Sequence, residues 1–332
     1  MKKTFGKSFK IEVTGSSHGE FVGGIITNCP KGLLIDYALI EHDLERRKPG
    51  RFGTQRTEDD KVVFLSGIKD GITDGNSIEF KILNHNVRKE DYDKFRDFFR
   101  PSHADYPYYM KYGEDNLRYK DAASARMFLP IVVAGSIAKI FLRKEGISFN
   151  AYVSEIGGID CIYDYDHVEE LLEEVSRQQD TIGGKVRCEI VGVKAGLGEE
   201  IFDKISSNLA FAMMTVPSAV NFSLGDIPDR DTLYGSEDID EWNDDFSTKT
   251  NHCGGVNAGL TNGMPIVFTV GFHAVHTLKK EMTLISRNGE LKQVRIGGRH
   301  DICQVLRTPV IIESLAAMVI TDFITANKKQ TI

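Results

Sequence analysis

A run of small and apolar residues from Ala122 to Leu142 is the feature that most constrains the fold of this chain. Its alanines, valines and isoleucines are typical of a helix that is apolar around most of its circumference, and such a helix needs other elements to cover it. Pro130 falls inside the run, where a proline normally interrupts a helix, but the residues on both sides still favour a helix. We therefore expect a mostly buried helix with other elements packed around it.

Strand and helix patterns are intermixed along the rest of the chain. Short runs alternate polar with apolar residues, as strands do, and longer runs repeat apolar residues with helical spacing. Asp36 is placed to cap one helix, which Pro49-Gly50 would end. Because both patterns occur throughout, the sequence predicts an α+β fold. The predicted strands are 9–13, 23–29, 61–65, 78–83, 185–193 and 265–272, and the other predicted helices are 36–47, 162–180, 201–214 and 309–326.

The stretch from 225 to 250 is acidic, rich in turn residues and poor in aliphatic side chains. These properties predict a long irregular loop, of the kind that often serves function or assembly. We find neither a low-complexity linker nor a clean internal repeat. The sequence therefore predicts one domain spanning residues 1–332.

The charge of the chain excludes a general nucleic-acid binder. The formal net charge is -7 and the pI is about 5.8, whereas affinity for a phosphate backbone requires a basic surface that releases counterions. The first fifteen residues lack the continuous apolar segment of a signal peptide, and no stretch approaches the apolar length that spans a bilayer. We expect a cytoplasmic protein that binds neither nucleic acid nor membrane.

Five cysteines are scattered widely along the chain. An odd number at such spacing is typical of reduced thiols rather than of a disulfide framework or a zinc cluster. We therefore expect no structural metal. The cysteines are Cys29, Cys161, Cys188, Cys253 and Cys303.

Three histidines lie in turn-like stretches rather than on apolar faces. One such histidine, taken alone, is usually just exposed or capping a loop. Three of them beside glycines and arginines favour proton transfer or assistance to a leaving phosphate, because imidazole titrates near neutrality. The three segments are GSSHG at 15–19, RPSHADY at 100–106 and GRHD at 298–301.

Arginines are concentrated around these segments although the chain as a whole is acidic. Guanidinium groups bind phosphate and carboxylate bidentately, so the cluster predicts a local pocket for a ligand that carries both groups. A cation at the end of helix 36–47 would also stabilise the helix dipole, which explains one of Arg46 and Arg47 but not the group. The cationic residues are Arg46, Arg47, Lys48, Arg51, Arg56, Arg100, Arg118, Arg126, Arg299 and Arg307.

Two glycine segments, IGG at 182–184 and NHCGG at 251–255, could present backbone N–H groups to a phosphate or a flavin. Glycine-rich turns are usually only turns. Neither segment matches the dinucleotide-binding fingerprint or the P-loop, so ordinary nucleotide-binding folds are disfavoured.

Taken together, the order of these segments resembles that of the chorismate synthase family along nearly the whole chain. TGSSHG at 14–19 is similar to the family's GESHG signature, RRKPG at 46–50 to its triple-arginine turn, and RPSHADY at 100–106 to its RPGHADY motif. The remaining segments follow in the family's order and approximate spacing. They are KYG at 111–113, DTIGG at 180–184, AMMTVP at 212–217, TNHCGG at 250–255, and GRHD at 298–301 followed by Cys303.

The resemblance implies a β-α-β sandwich core with internal pseudo-symmetry, usually assembled as a homotetramer. It also implies a lyase that eliminates phosphate from 5-enolpyruvylshikimate 3-phosphate in an anti-1,4 sense to give chorismate. Reduced FMN is required without net redox change. Since no nicotinamide-binding fingerprint is visible, we expect an external flavin reductant. The protein itself would position the ligands, exclude water and handle protons.

Motif by motif, the resemblance implies roles for individual side chains. His18 would assist the departing phosphate, His103 would stabilise the anionic reduced flavin, and Asp301 would lie near the flavin N5 as proton acceptor or orienting group. One set of arginines would hold the phosphate and carboxylates of the substrate, and a further set of residues would contact the flavin. The substrate arginines are Arg46, Arg47, Arg51, Arg126 and Arg307, and the flavin neighbours are Ser124, Asn251, Gly254, Gly255, His273, Thr277 and Arg299.

Several motifs depart from the family pattern. The family's GGGRSSARET reads YKDAASARMF at 119–128, its KPTSS reads HAVHT at 273–277, and Ser16, Ser102 and Ile302 replace a Glu, a Gly and a Pro. These changes remove a cation and close backbone donors, so they predict weaker flavin binding. They also leave a second function open: a paralogue with the same fold and anion pocket that binds or regulates, or that acts on another phosphorylated cyclic acid.

Overall fold

Two five-stranded antiparallel sheets lie on either side of a helical layer. A computed structural model describes residues 3–54, 59–85, 97–113, 123–227, 230–295 and 301–330. Within them, one hydrophobic core takes side chains from both sheets and from the helices between them. This architecture confirms the predicted α+β sandwich.

The first sheet and three helices come from the N-terminal half. Helix α1 (Tyr37–Arg46) begins where the Asp36 carboxylate accepts the Leu39 N–H at 3.0 Å, which confirms the predicted cap. Strand side chains alternate between a buried and an exposed face, so one face of the sheet turns to the core. The strand order is β1 (Thr4–Phe5), β2 (Lys10–Gly15), β3 (Phe21–Thr27), β7 (Ile78–Leu83) and β4 (Val62–Phe64). A separate hairpin consists of β5 (Ile68–Lys69) and β6 (Ile72–Thr73). The helices that follow are α2 (Asp105–Tyr112) and α3 (Leu129–Lys144).

The second sheet comes from the C-terminal half. Its interior strand β15 (Ile266–Phe272) is buried at nearly every position, so both of its faces are covered. The strand order is β10 (Ile159–Asp160), β9 (Ser148–Ile156), β11 (Gly184–Val191), β15 and β12 (Ala219–Leu224). A separate hairpin consists of β13 (Val256–Asn257) and β14 (Leu260–Thr261). The helices are α4 (Tyr165–Arg177), α5 (Ile205–Met213) and α6 (Pro309–Gln330).

The two halves share most of their topology. Strand order β1-β2-β3-β7-β4 corresponds to β10-β9-β11-β15-β12, except that the edge strand β1 precedes its neighbour β2 in the chain whereas β10 follows β9. In both halves a helix follows the third strand of this order, and a two-stranded hairpin precedes the fourth. The internal pseudo-symmetry implied by the family resemblance is therefore visible in the strand order.

The hairpins repeat the same contacts. Thr73 Oγ1 accepts the Leu33 N–H at 2.9 Å, and Thr261 Oγ1 accepts the Leu197 N–H at 2.9 Å. The sequence shows no clean repeat, yet the fold is repeated, because outside these tight turns each half needs only apolar residues at the right spacing. The repeated segments are GITDG at 71–75 and GLTNG at 259–263.

The long helices α3 and α6 cross at equivalent positions. A Cβ built on Gly135 would lie 2.2 Å from the Ser314 Cβ, so glycine is needed for the backbones to approach. Pro130 and Pro309 each lie in the first turn of their helix, where no N–H donor is required. This corrects the predicted start of the first long helix, because residues Ala125–Phe128 form a 3-10 turn and α3 begins at Leu129.

The expectation that no apolar stretch reaches membrane-spanning length is also wrong. By length and composition, two helical segments of the described chain qualify, Ala125–Lys144 and Pro309–Asn327. In the folded chain, 83% of the apolar window of the first and 67% of that of the second are buried inside the protein. Their position between two sheets explains their composition, since core helices are apolar on most sides.

The remaining elements lie outside the sandwich. The amphipathic helix α4 lies within 162–180, which confirms the helix predicted there. Within the described part of 225–250 there is only a 3-10 turn at Arg230–Thr232 and an isolated bridge between Trp242 and Thr248, which confirms the irregular loop. A small third sheet has the order β17 (Leu291–Arg295), β16 (Glu281–Ser286) and β8 (Phe98–Phe99).

Candidate active site

Three arginines that are distant in sequence meet beside the first turns of the two long helices. Arg47 follows α1 directly, whereas Arg126 and Arg307 lie on the 3-10 turns that precede α3 and α6. Arg47 Nη2 donates to the Ala125 carbonyl at 2.9 Å, which joins the first two of these segments. Arg47 and Arg126 are each only 5% exposed. We call Arg47, Arg126 and Arg307 the arginine cluster.

Two aspartates neutralise part of this charge. Asp60 accepts from Arg126 Nη1 at 2.9 Å, and Asp301 accepts from Arg307 Nη2 at 2.5 Å. Among the described residues no carboxylate pairs with Arg47, and burial, followed by repulsion from Arg307 and Arg126, lowers the pKa of Arg47. The Nε atoms of Arg47 and Arg307 are buried without an acceptor in the described part of the chain. The cluster therefore has the charge and the free donors to bind an anion.

Asp301 connects the arginine cluster to the loop that follows Arg47. Its Oδ1 accepts the Thr54 N–H at 2.8 Å, while its Oδ2 binds Arg307. Beside it, the Ile302 N–H donates to the Phe52 carbonyl at 2.9 Å. Both carboxylate oxygens of this buried side chain are thus already used as acceptors.

The turn between β2 and β3 brings His18 to the same end of the first sheet. His18 Nδ1 lies 3.1 Å from Ser17 Oγ, and Ser17 is fully buried. Asn84, which directly follows β7, bonds both to this turn and to Arg126. His18 is therefore linked to the arginine cluster through a single amide side chain.

His103 lies in a turn that is closed by an ion pair. Arg100 binds Asp105 with two hydrogen bonds, Nε to Oδ2 at 2.7 Å and Nη2 to Oδ1 at 3.0 Å. The two ring nitrogens of His103 lie 2.9 Å from the Pro101 carbonyl and 2.6 Å from Thr277 Oγ1. Burial, followed by the nearby Arg100 charge, lowers the pKa of His103. At neutral pH the imidazole is therefore neutral.

Two further histidines pack beside His103. The rings of His273 and His276 stack with centroids 4.1 Å apart, and His276 Nδ1 lies 3.1 Å from the Ser102 carbonyl. Ser102 adopts a φ of 57°, a left-handed conformation that costs a residue with a side chain more than it costs glycine. We call His103, His273, His276 and Thr277 the histidine cluster.

The segment 180–184 runs between the two clusters. Its Ile182 N–H donates to the Ile302 carbonyl at 2.9 Å, next to Asp301. On the other side, Thr181 Oγ1 donates to the Val275 carbonyl at 2.6 Å, within the loop of the histidine cluster. The arginine and histidine clusters are therefore held by one connected backbone frame.

Arg46 and Arg51 lie outside the arginine cluster, unlike the rest of the described arginines predicted to bind substrate. Arg46 forms two 2.7 Å hydrogen bonds with Glu313 on α6. Lys139 on α3 contacts Glu313 at 3.1 Å and Asp43 at 2.6 Å. We call Arg46, Lys139, Asp43 and Glu313 the paired network, since its two cations and two anions balance.

Arg51 lies on the surface. It pairs with Glu169 at 2.8 Å and Glu173 at 2.7 Å, both on α4, and about two thirds of its side chain is exposed, 65%. Its charge is thus shared with two surface carboxylates.

The described flavin neighbours divide into three locations, of which the histidine cluster holds His273 and Thr277. Ser124 caps the 3-10 turn of Arg126, close to the arginine cluster. Asn251 instead bonds the Pro265 carbonyl and the Gly255 N–H, each at 2.8 Å, so it packs at the start of β15. His273 follows the other end of β15, and a seven-residue strand is about 20 Å long. Gly254 and Gly255 lie with Asn251, and Arg299 lies outside the described residues, as do 119–122 and His300 of the motifs.

Sequence reasoning missed the residues that complete the two charged groups. Asp60 and Asn84 follow or flank short strands, and Lys139 and Glu313 lie within apolar helices. A charged residue inside an otherwise apolar helix is a usable signal, because such a residue is rarely buried without a partner. The sequence does not reveal which partner it has.

Comparison with known proteins identifies the family to which the chain belongs. The family model described as chorismate synthase matches residues 9–325. The chain belongs to the chorismate synthase family. A chorismate synthase of Christiangramia forsetii is 41% identical over 352 residues, covering 99% of both chains, and one of Parabacteroides distasonis is 39% identical over 351 residues, covering 98% of both.

A solved structure titled "Crystal Structure of Chorismate Synthase" has the same fold. Its TM-score is 0.75 at 22% identity, and the match covers 97% of this chain and 93% of that one. Membership in the chorismate synthase family makes the chain a lyase of aromatic amino acid biosynthesis.

Proposed function

We propose that the chain converts 5-enolpyruvylshikimate 3-phosphate to chorismate by anti-1,4-elimination of phosphate, with reduced FMN bound beside the substrate. The observation that carries this proposal is the arginine cluster, in which three guanidinium groups meet two described carboxylates, Asp60 and Asp301. The cluster therefore has a net positive charge. A ligand with one phosphate and two carboxylates supplies the missing negative charge. His18, linked to the same cluster, supplies a group that can transfer a proton.

Arg47 and Arg307 are the proposed phosphate and carboxylate ligands. Each has a buried Nε without a described acceptor, and an anion bound there would satisfy both donors. The same anion would relieve the repulsion that lowers the pKa of Arg47. Helices α3 and α6 begin close to these arginines, and their N-terminal dipoles add to the attraction. Arg126 contributes charge, but Asp60 and Asn84 already occupy much of its guanidinium group.

His18 is proposed to protonate the departing phosphate. Imidazole can hold a proton near neutral pH and transfer it to a phosphate oxygen as the carbon–oxygen bond breaks. Asp301 acts as an orienting group rather than as a proton acceptor, since Arg307 and the Thr54 N–H already occupy its two oxygens. Its part is to hold Arg307 against the substrate.

The histidine cluster fits the proposed position of the reduced FMN ring. Reduced FMN supplies electron density to the substrate as phosphate leaves. His273 stands where the family has a lysine, and His103 and His276 pack beside it, so the three imidazoles can offer hydrogen bonds to an anionic ring. His103 is neutral before binding, and a bound anion would raise its pKa and draw a proton to it.

Assembly as a homotetramer in the cytoplasm, with flavin reduced by an external donor, completes the proposal. Asn251, Gly254 and Gly255 lie at the far end of β15 from His273, about 20 Å away along the strand. They are therefore proposed to contact the flavin of a neighbouring subunit rather than that of their own.

Anaerobic turnover tests this function. The purified chain is mixed with photoreduced FMN and the enolpyruvyl substrate, and phosphate and chorismate are measured together. We expect equal amounts of both, none with oxidised FMN, and a loss of about a hundredfold or more in the His18→Ala variant. Tight substrate binding without phosphate release would contradict the proposal and favour the paralogue that only binds.

A further inference from the structure

We infer that Asn84 positions the His18 turn against Arg126, so that the proton-transfer group and the anion-binding cluster move as one rigid unit. The inference rests on the proposed function for the role of His18. It concerns a side chain that contacts neither substrate nor cofactor in that proposal, and Asn84 is accordingly a positioning residue.

The amide of Asn84 is fully used. Its Nδ2 donates to the carbonyls of Ser16 at 3.0 Å and Gly19 at 2.8 Å, on either side of His18. Its Oδ1 accepts from Arg126 Nε at 2.5 Å. The two N–H donors thus meet two carbonyls, and the amide oxygen meets a guanidinium N–H. With the amide reversed, its oxygen would face the carbonyls and its NH₂ group would face the guanidinium, so all three hydrogen bonds would be lost. The chemistry of an amide, rather than its size, is what the position requires.

The turn also has hydrogen bonds within its backbone, and these act differently. Its own backbone supplies the Ser16 N–H bond to Phe21 O at 3.0 Å and the Gly19 N–H bond to Ser16 O at 3.1 Å. Both hold the turn in shape, but neither ties it to the arginine cluster. Asn84 makes that connection, and its own N–H continues the sheet by donating to Glu20 O at 2.9 Å.

Arg126 gives the connection a firm base. Besides Asn84 it binds Asp60 at 2.9 Å and the Leu83 carbonyl at 3.3 Å, and it is only 5% exposed. A guanidinium fixed on three sides moves little, so a turn attached to it is held in place. Since a misplacement of about 1 Å can cost about a hundredfold in rate, this attachment matters for a proton donor.

Two replacements at Asn84 separate its two contacts. Asn84→Asp keeps an acceptor for Arg126 but turns a carboxylate toward the Ser16 and Gly19 carbonyls, so only the turn is released. Asn84→Ala releases the turn and also loosens Arg126. The matched control is Asn28→Asp, at the far end of β3, which removes one amide bond to the Ser8 carbonyl (2.7 Å) away from the site.

Hydrogen exchange and steady-state kinetics provide the readouts. We expect amide exchange at residues 16–19 to become at least roughly tenfold faster in both Asn84 variants, and kcat to fall by about tenfold to a hundredfold in both. The KM for substrate should rise only in Asn84→Ala, because only that variant frees Arg126. The control should match the unmodified chain in all three measurements.

Exchange at 16–19 that stays unchanged in both Asn84 variants would overturn the positioning role. Faster exchange with unaltered kcat would instead remove His18 from the chemistry, which is a failure of the proposed function. A KM that rises equally in Asn84→Asp and Asn84→Ala would also overturn the inference, because the two contacts would not be separable.

Discussion

Arg46 and Arg47 are neighbours in sequence, yet they belong to two opposite electrostatic environments. Arg46 belongs to the paired network, where each cation meets a carboxylate and the Glu313 side chain also accepts the Ala151 N–H at 3.0 Å. Arg47 belongs to the arginine cluster, where the described carboxylates pair with Arg126 and Arg307 but not with Arg47.

The difference separates stability from function. A balanced buried network joins α1, α3 and α6, and breaking one partner leaves an unpaired charge in the core. An unbalanced cluster destabilises the protein while it is empty and is favourable only when an anion arrives. Binding sites are commonly maintained at such a cost in stability.

Arg47→Met should produce the largest effect. Losing two charge-assisted hydrogen bonds of about 2 kcal/mol each predicts that kcat/KM falls roughly a thousandfold. The free energy of unfolding, measured in urea without ligand, should hold or increase, because a buried charge without a described carboxylate partner has been removed.

Inorganic phosphate provides the control for that variant. Phosphate should raise the Tm of the unmodified chain through binding to the folded state, and it should not raise that of Arg47→Met. A loss of stability comparable to that of a core mutation, or a full phosphate response in the variant, would show that Arg47 belongs with the structural charges.

Glu313→Ala should show the reverse pattern. It leaves Arg46 and Lys139 without their shared carboxylate, so we expect the free energy of unfolding to fall by about 3 kcal/mol. Turnover per folded molecule should change far less than in Arg47→Met. Urea unfolding and kinetics normalised to the concentration of active sites, on the same sample, check both values. If the loss in turnover, converted to an activation free energy, exceeds the loss in the free energy of unfolding, the comparison fails.

The smallest predicted effect is a pH dependence. The Arg46 bond and the Lys139 and Arg46 charges outweigh burial and lower the pKa of Glu313 below its ordinary 4.5. A carboxylate with a lowered pKa stabilises the fold above its unfolded pKa, and this stability is lost as the pH falls below about 4.5. Glu313→Gln should therefore lose less stability than the unmodified chain between pH 5 and 3, in urea titrations at each pH. Identical pH profiles would mean that Glu313 is not selectively stabilised as the anion.

Much of the fold could be read from local pattern. The buried helix, the Asp36 cap, the amphipathic helix within 162–180 and the irregular 225–250 loop all follow from spacing and composition within a short window. The strands β9, β12, β16 and β17 escaped prediction, because strand preference depends strongly on the neighbours with which a strand pairs.

The sequence by itself determined which residue types this protein can use: three histidines in turns, an excess of arginines near them, and two helices apolar enough to need covering. Only the tertiary structure decided which arginine is free for a ligand. Arg46 is the last residue of α1 and Arg47 caps its end, so their side chains leave the helix in directions about 100° apart and meet different neighbours. Those neighbours, Glu313 for one and the two other buried arginines for the other, come from chain segments distant in sequence, and electrostatic pairing acts through space rather than along the chain.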